Sequence, residues 1–232
     1  ANFLPNNYQA SVDTEYELRI SRAVCQFITS NLTGYYSYPS SVFFANDSDC
    51  TVSTYCSYLS SLQNYDQAVI YSKGHRGIPY YYANPVNRNH TSLLDYYANH
   101  VIDYADIYFR TSSKNVITFI WHCESAFNYT SVYDEYGWRG MPYCFTHNNA
   151  MGYYGTSGTQ VFLGWNNNVP GSPYPEPRGG SPQYEYHITA NYNYTAVAAS
   201  FWYYMCGGGS VIQALDNLCS DIYGDTFYNT DL

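Results

Sequence analysis

The chain has no stretch of about eighteen consecutive apolar residues, so no membrane-spanning helix is expected. Charge is scarce: only 12% of residues are charged, and nine basic residues face eighteen acidic ones. That balance repels a phosphate backbone, so no nucleic-acid partner is expected. Cys-x-x-Cys is missing, and the closest cysteines, Cys50 and Cys56, stand six apart. Without metal-type ligand spacing, neither a metal site nor a cofactor is expected. Gly-x-Ser-x-Gly is also absent, which argues against a serine-elbow hydrolase. Gly207-Gly208-Gly209-Ser210 lacks the lysine of a phosphate-binding loop and reads as a plain helix start. No internal repeat, heptad array or low-complexity tail is present.

Tyrosine is what the chain has in excess, 31 residues of 232. A surface this poor in charge must be covered by Tyr, Asn, Ser and Thr, and is sticky unless sugar or neighbouring subunits cover it. Seven cysteines without a metal motif point to disulfides in an oxidising compartment. Asn31, Asn46, Asn89, Asn128 and Asn193 each open an Asn-x-Ser/Thr glycosylation acceptor. A secreted, extracellular protein is expected, with Ala1 read as the residue after a removed leader. An odd cysteine count leaves one thiol over. Proximity suggests Cys50 with Cys56 and Cys206 with Cys219, leaving Cys25 with Cys144, one of fifteen possible connectivities.

Residues 1–13 read as an N-terminal arm and 14–232 as a single α/β domain. Thr14 and Glu17 form a capping-box pair ahead of a helical apolar stripe running to Ile28. Residues 41–45 are a strand candidate and 56–62 a short helix. Two buried strands follow, at 67–71 and 116–121; the second is an almost unbroken β-branched and aromatic run. Between them, Ser92 and Asp95 signal a crossover helix reaching Tyr108, making a right-handed βαβ unit. A further strand is expected at 161–165, with closing helices at 195–206 and 210–223, the second carrying a Ser210/Gln213 capping box. The segment 127–158 is rich in Tyr, Gly and Asn, and the proline-dense 166–186 is expected to hold no regular element. Alternating β and α segments indicate a sandwich on a mostly parallel sheet.

The first buried strand runs into Ser72-Lys73-Gly74-His75-Arg76-Gly77, and the second ends at His122-Cys123-Glu124-Ser125. A candidate base and a candidate nucleophile thus follow two strand ends, where open α/β sheets bind ligands. A structural half-cystine is the alternative for Cys123. His122 reads as a packed, hydrogen-bonded histidine, because strand neighbours point to opposite faces. His147 is the alternative base. Glu124 and Ser125 either touch substrate or cap a helix start. Tyr80-Tyr81-Tyr82 and Tyr203-Tyr204 could stack on sugar or peptide, with a core or interface role as the default.

This order, a histidine after one strand and a cysteine after the next parallel one, resembles the caspase-like cysteine peptidases, the clan that includes legumains, gingipains and metacaspases. The likeness runs from about Gln67 to Gly224 and extends to the Val161-Phe162-Leu163-Gly164-Trp165 and Gly209-Ser210-Val211-Ile212 stretches, as in secreted archaeal members. It implies a three-layer α/β sandwich and an endopeptidase with Cys123 as nucleophile, His75 as base and a peptide or protein substrate. It also implies an oxyanion hole from the backbone N–H groups of Cys123 and Gly77. Arg76 stands where the family has glycine directly after histidine. The alternative is a catalytically silent, glycosylated surface or filament subunit on the same fold, which would self-assemble.

Overall fold

The computed structural model describes residues 2–3, 12–35, 43, 45, 47–74, 76–77, 92–94, 101–102, 104–111, 114–122, 125–126, 141–146, 160–165, 187–189 and 192–230. The protein is α/β and divides into two compact units. One comprises Ala1–Ala10 and Phe43–Val169, the other Ser11–Val42 and Pro170–Leu232.

The first unit is built on a fully parallel sheet in the order β1 (Asn2–Phe3), β2 (Ala68–Gly74), β6 (Asn115–Trp121) and β7 (Val161–Leu163). β2 and β6 form where the β-branched and aromatic runs lie, and β7 covers the first three residues of the expected third strand. Both faces of such a sheet must be buried, which is why these runs scarcely alternate. Along one face lie Ile70, Ile120 and Phe162, in one core with side chains from three helices. α2 (Val52–Leu62) contributes Tyr55 and Leu59, α3 (Tyr104–Tyr108) contributes Ile107 and Tyr108, and α4 (Met141–Thr146) contributes Met141, Cys144 and Phe145.

Local chemistry sets these helices. Thr51 caps α2 by accepting the Thr54 N–H at 3.1 Å, so the helix starts four residues before the expected one. Lys114 Nζ donates to Gln63 O, just past the end of α2, at 3.0 Å. α4 falls inside the Tyr-, Gly- and Asn-rich stretch 127–158, for which no helix was expected. Pro142 sits in its first turn, where no N–H is needed, and Met141, Cys144 and Phe145 recur at i, i+3, i+4 on the buried side. Its last carbonyls are satisfied from a distance: Thr111 Oγ1 donates to Cys144 O at 2.7 Å and Gln160 Nε2 to Phe145 O at 3.2 Å. Each aromatic buried this fully contributes about 2–3 kcal/mol.

The long crossover helix expected over 92–108 is not formed. Ser92–Leu94 and Val101–Ile102 are instead strands of a small antiparallel sheet, in the order β3 (Arg76–Gly77), β4 (Ser92–Leu94) and β5 (Val101–Ile102), and α3 is the helical part among the described residues of this stretch. Leu93 pairs with Ile102, and both are buried in the core. Burying this pair outweighs the local capping signal. Phe43 and Ala45, the described residues of the strand expected at 41–45, adopt no regular structure.

In the second unit α1 (Val12–Tyr35) packs on α5 (Tyr194–Cys206), and α5 on α6 (Val211–Tyr223). A two-stranded antiparallel sheet, β8 (His187–Thr189) with β9 (Tyr192–Asn193), and a 3-10 turn (Phe227–Asn229) also lie among its described residues. The capping box read from the sequence is formed in full: Gln213 N–H donates to Ser210 Oγ, and Ser210 N–H donates to Gln213 Oε1. α6 then stops at Gly224, whose φ of 75° is left-handed.

Among the described residues, no helix is long and apolar enough to cross a membrane. No group of three or more His, Cys, Asp or Glu among them could hold a metal ion.

Candidate functional site

The carboxyl ends of β2 and β6 lie side by side. Their register runs from Val69 opposite Ile117 to Lys73 opposite Trp121. His75 follows Lys73 by two residues, and Cys123 follows Trp121 by two. The two chemistry-bearing segments therefore leave neighbouring parallel strands at the same level. His75, Cys123, Glu124 and the alternative base His147 lie outside the described residues. Gly77, expected at the oxyanion hole, lies in β3 opposite Ser92.

One face of these strand ends is aromatic. Tyr71 and Phe119 meet at 5.7 Å, Phe119 and Trp121 at 6.0 Å, and Trp121 and Trp165 at 4.9 Å between ring centroids. Lys73 is 8% exposed, and its Nζ sits 5.9 Å from the centre of the Trp121 ring. Sequence reasoning passed over this lysine. The available signal was a cation at the end of a buried strand, one residue pair before the candidate dyad.

The segment beyond β6 is held tightly at both ends. His122 is 1% exposed, and its Nε2 lies 3.3 Å from Met141 Sδ, so it is packed into the core as the strand alternation predicts. Ser125 N–H donates to His122 O at 3.3 Å. Ser125 Oγ donates to Ile120 O at 2.9 Å and accepts the Trp165 N–H at 3.0 Å. Ala126 N–H donates to Trp165 O at 2.9 Å. Fully buried, Ser125 ties the end of β6 to the end of β7. Gly164 permits this approach. A Cβ there would lie 2.7 Å from both Phe162 Cε1 and Ser125 Oγ, and 3.0 Å from Ala126 N.

On the other face, Tyr55 Oη and Ser72 Oγ share a buried hydrogen bond of 3.1 Å. Burial pushes the Tyr55 phenol well above its ordinary range, the Ser72 bond opposing and nearby Cys56 adding slightly.

The expected disulfides Cys50–Cys56 and Cys206–Cys219 are not formed, because Cys56, Cys206 and Cys219 are free, buried thiols. Helix rise explains both. Cys56 is the fifth residue of α2, about 7.5 Å along the axis from the cap Thr51, with Cys50 one residue before that cap, and Cys219 lies about 12 Å along α6 from its first residue. A bridge needs Cα atoms within about 7 Å. Cys219 Sγ instead accepts a hydrogen bond from Thr230 Oγ1 at 3.3 Å. Burial raises all three thiols above their usual range. Cys25 and Cys144, the third expected pair, are both buried and belong to different units.

Of the sugar acceptors, Asn46, Asn89 and Asn128 lie outside the described residues. Asn193 is in β9, and Asn31 is in α1 with its Nδ2 donating to Phe27 O at 2.8 Å. Tyr80, Tyr81 and Tyr82 are also outside the described residues. Tyr203 and Tyr204 help line an open cleft of about 650 Å³ at the turn between α5 and α6. Three of its polar residues are engaged already: Gln213 in the capping box, Asp216 with the Phe227 N–H, and Tyr204 with Asp221. The glycine-rich stretch there is a capped helix start, as its missing lysine implies.

The chain matches no protein-family model, no curated protein and no solved structure.

Proposed function

We propose that this protein is a secreted cysteine endopeptidase of the caspase-like kind, with the three-layer sandwich of that family. The observation that carries the reading is the register of β2 on β6, which brings Lys73 opposite Trp121, each two residues ahead of His75 and Cys123. Cys123 attacks the scissile carbonyl as the thiolate, and the developing oxyanion is met by the N–H groups of Cys123 and Gly77. The carbon–nitrogen bond then breaks, His75 protonates the departing amine, and water hydrolyses the thioacyl intermediate. The five Asn-x-Ser/Thr acceptors support extracellular placement.

The test uses the full chain on an unfolded protein substrate under mildly reducing conditions. Cleavage is expected from the wild type, none from Cys123→Ala, and almost none from His75→Ala. Activity that survives Cys123→Ala refutes the reading. The second reading, a silent glycosylated subunit that self-assembles, draws on Tyr203, Tyr223 and Tyr228, which are exposed on the second unit. Sedimentation showing ordered oligomers, together with no cleavage by the wild type, would favour it.

A further inference from the structure

The cleft at the turn between α5 and α6 is only partly used by the fold. Its volume of about 650 Å³ falls within the range of about 300–1,000 Å³ usual for small-molecule sites. Tyr203 lines it from α5, Gln213, Asp216 and Asn217 from α6, and Gly208 and Gly209 from the turn. All of these belong to the second unit, so the site is independent of the peptidase reading.

Tyr203 is 52% exposed and meets Tyr204 at 5.5 Å between ring centroids, with the rings 70° apart. In such an edge-to-face contact, whichever ring supplies the edge, at least one face of Tyr203 is left uncovered by Tyr204. On α6, Gln213 Oε1 accepts the Ser210 N–H and Asp216 Oδ1 accepts the Phe227 N–H. The Gln213 amide nitrogen, the second Asp216 oxygen and the whole Asn217 amide hold no hydrogen bond among the described residues. Gly208, at a φ of 87°, needs to be glycine, but Gly209 does not: its backbone is not left-handed, and a Cβ there would meet nothing closer than 3.6 Å. Packing therefore does not require the missing side chain of Gly209, and its absence keeps the cleft clear.

We propose that this cleft is a binding site for a neutral saccharide. The electron-rich face of a tyrosine ring attracts the C–H bonds on the apolar face of a sugar ring, so a pyranose stacks on Tyr203. The amides of Gln213 and Asn217 and the spare oxygen of Asp216 together donate and accept, as hydroxyl groups require. A purely apolar ligand would desolvate those groups without pairing them. An anion is disfavoured, because Asp216 lines the cleft, no lysine or arginine does, and the chain has a net charge of -9. The saccharide belongs either to a separate glycan or to a second copy of this chain, carried on its Asn-x-Ser/Thr acceptors; the recognition chemistry is the same.

The experiment is a saturation-transfer difference NMR titration of the full chain with maltohexaose, cellohexaose, mannotriose and triacetylchitotriose, and with a heparin hexasaccharide as the anionic control. Binding of at least one neutral probe is expected, and none of heparin. Tyr203→Ala should weaken that binding by about tenfold or more, while Tyr203→Phe, which keeps the ring, retains most of it. Gly209→Leu, which fills the cleft, should abolish it. Tyr203 is exposed, so its variants are expected to fold, with circular dichroism as the control; should Gly209→Leu fail to fold, the Tyr203 pair decides. Sedimentation separates the two sources: oligomers that the neutral probe disperses assign the sugar to a second copy, and a monomer that binds the probe assigns it to a separate glycan. No binding of any neutral probe, a preference for heparin, or binding that Tyr203→Ala leaves unchanged overturns the proposal.

Discussion

Replacing Gly164 by alanine tests the tie between the ends of β6 and β7. The added methyl meets three groups at once, at 2.7, 2.7 and 3.0 Å, and none can retreat freely. Phe162 is packed on Phe145 at 5.7 Å between ring centroids, Ser125 Oγ holds two hydrogen bonds, and the Ala126 N–H is bonded to Trp165 O. Overpacking of this kind costs about 1–3 kcal/mol. Displacing Ser125 weakens two hydrogen bonds worth about 1 kcal/mol each. A loss of about 3 kcal/mol is therefore expected, which at a urea slope of about 2 kcal/mol per molar lowers the midpoint by about 1.5 M. Tryptophan fluorescence suits the assay, since Trp121 and Trp165 meet at 4.9 Å beside the tie. Ser125→Ala removes one of the three colliding atoms, so the double variant should be less destabilised than the sum of the singles, by about 1 kcal/mol. A Gly164→Ala midpoint within about 0.3 M of the wild type, or strictly additive effects, would refute the reasoning.

Three further outcomes are expected. Tyr55 has its pKa raised by burial, so its folded state binds a proton that the unfolded chain releases near pH 10. Its contribution to stability is fully present below about pH 10 and is lost as the pH rises beyond; urea midpoints from pH 8 to 11 should fall more steeply for wild type than for Tyr55→Phe. Ser210→Ala removes the oxygen that accepts the Gln213 N–H and should cost about 1 kcal/mol in thermal or chemical unfolding, with Ser210→Asp retaining most of it. Cys56, Cys206 and Cys219, buried with raised pKa values, should react with a thiol reagent only slowly in native buffer and rapidly in denaturant, and non-reducing peptide maps should show none of them bridged. A Cys206–Cys219 bridge in such maps would contradict this structure.

The sequence by itself determined the elements whose signals are local. A run such as Val116 to Trp121 has one low-energy use, a strand buried on both faces, and β6 follows it. The Ser210/Gln213 pair carries its own hydrogen-bond partners and needs nothing from elsewhere in the chain. α1 and α5 likewise form where the apolar periodicity lies. Tertiary structure decided the features whose partners are remote. Ser92 and Asp95 promised a helix, but Leu93 and Ile102 are buried facing each other as strands. α4 depends on carbonyl partners from Thr111 and Gln160, and only its i, i+3, i+4 apolar spacing was legible beforehand. Cysteine pairing could not be read from proximity in sequence, because helix rise separates residues that the chain places close together. At the candidate site, the strand ends that carry His75 and Cys123 were visible as composition. Their alignment by the β2–β6 ladder, the burial of Lys73 against Trp121 and the bridging of β6 to β7 by Ser125 arise from contacts up to 48 residues apart, which no local pattern encodes.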